Sequence, residues 1–161
     1  MSEQVQTIIR KSIGMGQNGP DFTRITDFTG PFTRDNPLIL HDYGRNIYDK
    51  GERIGYCLDV RICGYRGLPV NQIRALVFTV DGVEIPDEVK FIRYENREHP
   101  FEDIGTDKIE NQWFWKYGDY LRVFFKLPGG IAQGLHEVKF GLALRDHYSS
   151  TAFCQKTVTI V

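Results

Sequence analysis

The sequence predicts an all-β fold, an antiparallel β-sandwich preceded by a long irregular N-terminal arm. Three observations carry that expectation. About seven or eight short stretches alternate apolar and polar residues, with turn signals between them. No stretch shows the apolar stripe of an amphipathic helix, and no strand-helix-strand rhythm asks for a parallel sheet. The dipeptide Asp81-Gly82 lies between β-rich runs, where a two-residue hairpin turn needs positive φ at both central positions. At 161 residues the chain is most simply one domain with a real core. It divides into an arm over residues 1–50, placed to contact a partner or a sheet edge, and a sandwich over residues 51–161.

Taken in order, Val5 to Ile9 is a candidate short strand whose partner would be the C-terminal run Lys156 to Val161. From Gly14 to Lys50 the pattern dissolves into Gly, Asn, Pro, Asp and Thr carrying spaced aromatics and aliphatics. Two readings stand for this stretch: an arm ordered by another chain, or an edge covering with a short strand near Leu38 to His41. Leu58, Val60 and Ile62 alternate with Asp59 and Arg61, the period of two that puts one set of side chains on a core. Gly64-Tyr65-Arg66-Gly67-Leu68-Pro69 is a loop that aims an aromatic ring and a guanidinium between residues of unusual backbone freedom or restriction. Leu76, Phe78 and Val80 form the next strand and lead into Asp81-Gly82. Glu88 to Tyr94 is partly apolar on both faces, which suits a strand with a covered back. Glu95 to Lys108 is a charged connection with one helical turn near Phe101 to Ile104. Trp113-Phe114-Trp115 supplies three large rings before the turn at Tyr117-Gly118-Asp119. Tyr120 to Leu127 is a strand with Leu121, Val123 and Phe125 on one face, broken by Pro128-Gly129-Gly130. Leu135 to Arg145 is the longest strand, with Val138, Phe140, Leu142 and Leu144 inward, and residues 146–150 turn the chain into the last strand.

Composition narrows the function. A formal net charge of -1, without a run of Lys or Arg, gives no electrostatic footprint for nucleic acid. No apolar stretch approaches the roughly 20 residues that span a bilayer, and the start Met-Ser-Glu-Gln-Val lacks a signal peptide's basic end and apolar middle, so a cytoplasmic protein is expected. Cys57, Cys63 and Cys154 are an odd count, widely spaced, which suggests neither a disulfide framework nor a zinc knuckle. Aromatic residues make up 13% of the chain, enough for either a heavily aromatic core or a face awaiting a partner.

Reactive side chains are scattered. The histidines are His41, His99, His136 and His147, with no His-x-His pair of the kind a β-barrel metal site uses. His136 and His147 flank one strand that runs roughly 30 Å at about 3.4 Å per residue, too far to share a metal. Asp81, Glu84, Asp87 and Glu88 surround a turn, where the Asp of Asp-Gly has a conformational reason to be. No nucleophile elbow, phosphate-binding loop or dinucleotide fingerprint occurs. On these grounds the chain reads as a binding or structural module with no catalytic residue, metal site or cofactor of its own.

The motifs together resemble the small, or beta, subunit of the C-glycoside deglycosidases over about Tyr56 to Tyr148. The resemblance rests on Arg61 to Pro69, Thr79-Val80-Asp81-Gly82, Phe114-Trp115 followed by Tyr117-Gly118-Asp119, Pro128-Gly129-Gly130 with Gly134-Leu135-His136-Glu137-Val138, and Leu144-Arg145 before Tyr148. Gly64 stands where that family often has a second Tyr, and the first 50 residues appear as an extension. The resemblance implies a β-sandwich working in a hetero-oligomer with a TIM-barrel alpha subunit, which would hold a divalent metal, commonly manganese. The complex would be a lyase that cleaves a 3-keto C-glycoside, such as an oxidised flavonoid glycoside, by elimination. No catalytic role carries over to this chain. Tyr65, Arg66, Trp115, His136 and Arg145 are the candidates for an interface or active-site rim, because they fall within the matched motifs and mostly at strand ends; the alternative is that they fasten the fold internally. A stand-alone carbohydrate- or polyphenol-binding sandwich is the other class of function, distinguished by binding sugar without a barrel partner.

Overall fold

A computed structural model describes residues 33–64, 66–104, 113–144 and 151–161. The proposed strand at Val5 to Ile9, Tyr65, Arg145 and His147 lie outside the described residues. The strands are β1 (Thr33–Asp35), β2 (Leu40–Asp49), β3 (Glu52–Val60), β4 (Leu68–Pro69), β5 (Ile73–Val80), β6 (Val83–Glu84), β7 (Lys90–Tyr94), β8 (Arg97–Pro100), β9 (Phe114–Trp115), β10 (Leu121–Phe125), β11 (Gly134–Leu144) and β12 (Thr151–Ile160). Single-turn 3-10 helices cover Pro37–Ile39, Val70–Gln72, Asp87–Val89 and Phe101–Asp103, the last of them where one helical turn is expected. No helix among the described residues is long and apolar enough to cross a membrane.

The main sheet runs β6-β5-β11-β12-β2-β3-β10-β7-β8, with β1 beside β12, and β4 pairs with β9 apart from it. All-β is thus the observed class. The ring of Phe78 on β5 stacks on Phe140 of β11 at 4.6 Å and meets Phe125 of β10 edge-on at 4.9 Å. Since β5 and β10 are far apart in the strand order, that contact requires the sheet to curl over and pack one half on the other, as in a sandwich. Leu58, Val60, Leu76, Leu121, Val123, Val138, Leu142 and Leu144 fill the same core, on the inward positions that the period of two assigns them. Lys90 pins the two halves: it is fully buried, its ammonium donates to the Leu76 carbonyl and pairs with Asp87, and it lies 4.9 Å from the centre of the Phe101 ring. Burial lowers its pKa, against the pull of the Asp87 carboxylate.

Two pairings depart from the antiparallel expectation. β1 joins β12 in parallel, and β12 joins β2 in parallel through Thr159 opposite Tyr43 and Ile160 opposite Gly44. The strand expected near Leu38 to His41 is far longer and is no edge covering. It is β2, set between β12 and β3, so the boundary drawn at residue 50 falls within the β2-β3 hairpin. Its turn-forming residues hid it: Gly44 and Asn46 occupy buried inward positions. The Asn46 amide acts like a strand segment, donating to the Ile131 carbonyl at 2.9 Å and accepting from the Ile131 N–H at 2.9 Å. β8 falls in the expected charged connection, because Arg97-Glu98-His99 has no apolar alternation; it is an edge strand whose charges face water.

Gly44 has no room for a side chain, since a Cβ there would sit 2.7 Å from the Cys57 carbonyl oxygen and 2.7 Å from Ile160 Cδ1. Gly44→Ala should therefore cost about 2–3 kcal/mol of unfolding free energy in urea titrations, with the loss concentrated where β12 meets β2.

Candidate functional site

The loop after β3 is tied to the aromatic segment by a close approach that needs glycine. A Cβ at Gly67 would lie 2.5 Å from the Phe114 ring and 2.7 Å from the Trp115 carbonyl oxygen. That contact lets Leu68 and Pro69 of β4 pair with Trp115 and Phe114 of β9, and the Val70 N–H reaches the Trp113 carbonyl at 2.8 Å. Alternation from Trp113 through β9 turns Trp113 and Trp115 inward and leaves Phe114 outward, 45% exposed. Trp115 is completely buried and its indole N–H donates to the Asp119 carbonyl at 3.0 Å, closing the turn that displays Tyr117 at 62% exposure.

A second latch holds this turn to the sheet. The Tyr94 hydroxyl donates to the Asp119 carboxylate at 3.0 Å and accepts from the Lys116 N–H at 3.0 Å, while the Lys116 ammonium reaches Glu95 at 3.2 Å. Burial pushes the Tyr94 phenol up. Phe114, Tyr117 and the exposed Arg66 thus stand on a braced end of the sheet. Trp115, the candidate expected in this segment, is buried, and its neighbours Phe114 and Tyr117 are the exposed rings. The signal that finds them is parity, since burying Trp115 forces its neighbour outward.

His136 lies at the other end. Ile73 of β5 is opposite Leu144 and Val80 is opposite Val138, so Arg66 and Trp115 sit beyond one end of β5 and His136 beyond the other. Seven residue steps of strand separate the two ends, roughly 24 Å. Trp115 and His136 both show the contacts of internal fasteners. Nδ1 of His136 meets the Asp81 carboxylate at 2.6 Å and Nε2 meets the Ala132 carbonyl at 2.7 Å. Both partners are acceptors, so both ring nitrogens carry protons and the ring is an imidazolium while the pair is intact. Asp81 also accepts from the Glu137 N–H at 2.9 Å. It occupies the expected hairpin turn, with φ of 48° at Asp81 and 79° at Gly82.

Electrostatics follow from this geometry. Burial alone lowers the His136 pKa, but the hydrogen bonds to Asp81 and Ala132 and the charge on Asp81 outweigh it and raise the value above the ordinary 6.5. The hydrogen bond from His136 holds the Asp81 carboxyl below its ordinary 3.8. None of Cys57, Cys63 and Cys154 forms a disulfide, and burial raises the Cys57 thiol. Among the described residues, no group of three or more His, Cys, Asp or Glu is gathered to hold a metal ion.

The stabilisation from His136 is complete below pH 6.5 and fades as pH rises through the raised folded value. The Asp81 contribution is complete above pH 3.8 and is lost as pH falls through its lowered folded value. The unfolding free energy of the native chain should therefore exceed that of His136→Gln most in mildly acidic solution, and the gap should narrow toward alkaline pH in urea titrations. A gap independent of pH would show the ring to be neutral.

Comparison with known proteins agrees with the motifs. A family model described as C-glycoside deglycosidase beta subunit matches residues 34–148. A C-glycoside deglycosidase beta subunit of Eubacterium cellulosolvens is 31% identical over 105 residues, covering 65% of this chain and 69% of that protein. Among solved structures, BcpA, the major pilin subunit of Bacillus cereus, aligns over 81% of this chain and 37% of its own at 12% identity with a TM-score of 0.18. The family match takes in β2 and all later elements through β11, so β2 belongs to the shared region and not to an extension. By this match, the chain is a member of the C-glycoside deglycosidase beta subunit family.

Proposed function

We propose that the chain is a non-catalytic subunit of a cytoplasmic lyase complex, covering or supporting the active site of a TIM-barrel alpha subunit. Family membership supports the existence of a partner. The observation that carries the choice of surface is the braced end of the sheet, where Phe114 and Tyr117 stand exposed beside Arg66. Exposed aromatic rings and an arginine on a rigid support are the composition of a protein interface.

The substrate in this reading is a C-glycoside whose sugar carries a ketone at C3. The ketone acidifies the proton on C2, and a base on the alpha subunit removes it. The electron pair then forms the C1–C2 double bond as the bond from C1 to the aglycone carbon breaks, and that carbon ends with a proton. The divalent ion, manganese in this reading, would be held by the alpha subunit, where it would supply charge stabilisation for the enolate. The task of this chain is to keep water from that site and to offer flat apolar contact to a polyphenol ring. Arg66 supplies a donor for a partner carboxylate or a phenolic oxygen.

Co-expression with the alpha subunit should give a complex that cleaves a 3-keto C-glycoside, whereas either chain alone should not. Arg66→Ala should weaken assembly, read by size-exclusion chromatography, and leave the melting temperature of the isolated sandwich nearly unchanged. A monomer that cleaves the substrate unaided would overturn the reading.

A further inference from the structure

The outward face of β3, β10, β7 and β8 carries a row of charges set by strand register. Asp59 is opposite Arg122, Arg122 is opposite Arg93, and Arg93 is opposite Glu98. Asp59 grips Arg122 with both oxygens, at 2.8 and 2.9 Å. Arg93 is left beside a like charge, an unfavourable neighbour on adjacent strands. Its other neighbour, Glu98, reaches Lys126 at 3.3 Å. Arg45 on β2 extends the same face, opposite Cys57 of β3. Among the described residues, no carboxylate pairs with Arg45 or Arg93.

Arg45, Asp59, Arg93 and Arg122 line an open groove of about 520 Å³ together with Asp119 and Tyr120. The Tyr120 ring is fixed by the Arg61 guanidinium 4.1 Å from its centre and by the His41 ring edge-on at 4.9 Å. The acids in the groove are already engaged: Asp59 by Arg122, Glu95 by Lys116 and Asp119 by the Tyr94 hydroxyl. The groove also joins the braced end described above, since Tyr94 and Asp119 belong to both.

Building on the heteromer reading, we propose that this groove docks an acidic segment of the alpha subunit, whose carboxylates pair with Arg93 and Arg45. The width of the face favours a chain segment over a small molecule. The guanidiniums of Arg45, Arg122 and Arg93 stand on β2, β10 and β7, on a face roughly 14 Å across from β2 to β7 at about 4.8 Å per strand. The acids between them disfavour a polyanion such as nucleic acid but fit carboxylates spaced along a peptide. Arg122 is held by Asp59, so part of the surface is organised before the partner arrives.

The test measures binding of the purified full chain to purified alpha subunit at low and high salt. The variants are Arg45→Glu/Arg93→Glu and, should that pair fail to fold, Arg45→Gln/Arg93→Gln; the melting temperature of each isolated chain checks the fold. The expected result is binding weakened about tenfold or more by the double change, with the salt dependence of the native pair largely lost. Binding within about twofold of native, with unchanged salt dependence, would overturn the proposal. So would normal assembly with a raised KM for the 3-keto substrate, which would make the groove a small-molecule site. If the native chain itself fails to bind the alpha subunit, the heteromer reading falls and this inference with it.

Discussion

Everything in this sheet depends on a short seam. The two halves of the sandwich are joined through the main sheet where β12 runs parallel to β2 for two residue pairs, Thr159 with Tyr43 and Ile160 with Gly44. The Val161 N–H donates to the Gly44 carbonyl at 3.1 Å, and the Asn46 N–H donates to the Val161 carbonyl at 2.9 Å. These few backbone bonds close only if the strands approach without side chains between them. Gly44 is therefore a spatial requirement of the fold, though its type signals a turn. Once the seam is closed, Phe78 and Phe125 can meet across the interior and the apolar faces of both halves leave water together.

Closing the sheet also decides where function can sit. The interior is filled by rings and aliphatic side chains, so what the protein presents to a partner must lie on the outer faces or at the strand ends. At one end, glycine at position 67 brings β4 onto β9, and the buried indole of Trp115 fixes the turn that carries Tyr117. A hidden residue thus sets the position of exposed ones. At the opposite end, His136 and Asp81 tie the turn between β5 and β6 to the start of β11. Both ends are braced, and the first displays Phe114 and Tyr117 with the exposed Arg66.

Much of this architecture was legible in the residues. Alternation placed Leu58, Val60, Leu76, Phe78, Val123, Phe140 and Leu142 inward, and the Asp81-Gly82 turn came out with positive φ at both positions. β2 was obscured because its inward positions are Gly44 and Asn46, and periodicity scores apolar side chains, not close contacts or a side chain that imitates backbone. The charged edge strand β8 escaped for the same reason. In the aromatic segment, the residue singled out from the motif, Trp115, is buried, and the rings that reach the surface are Phe114 and Tyr117. Register between distant strands, which sets Arg93 beside Arg122, is a property of the assembled sheet that no local pattern announces.

The Asp81-Gly82 turn has one more implication, for chemical ageing. In a loose chain an Asp-Gly bond is prone to cyclise, as the glycine nitrogen attacks the aspartyl carboxyl and the backbone reopens through the wrong carbon. Here the carboxylate is ionised and gripped by His136 and the Glu137 amide, which makes it a poor electrophile and holds it still. The contact that anchors the hairpin thereby also protects its most perishable bond for as long as the protein stays folded.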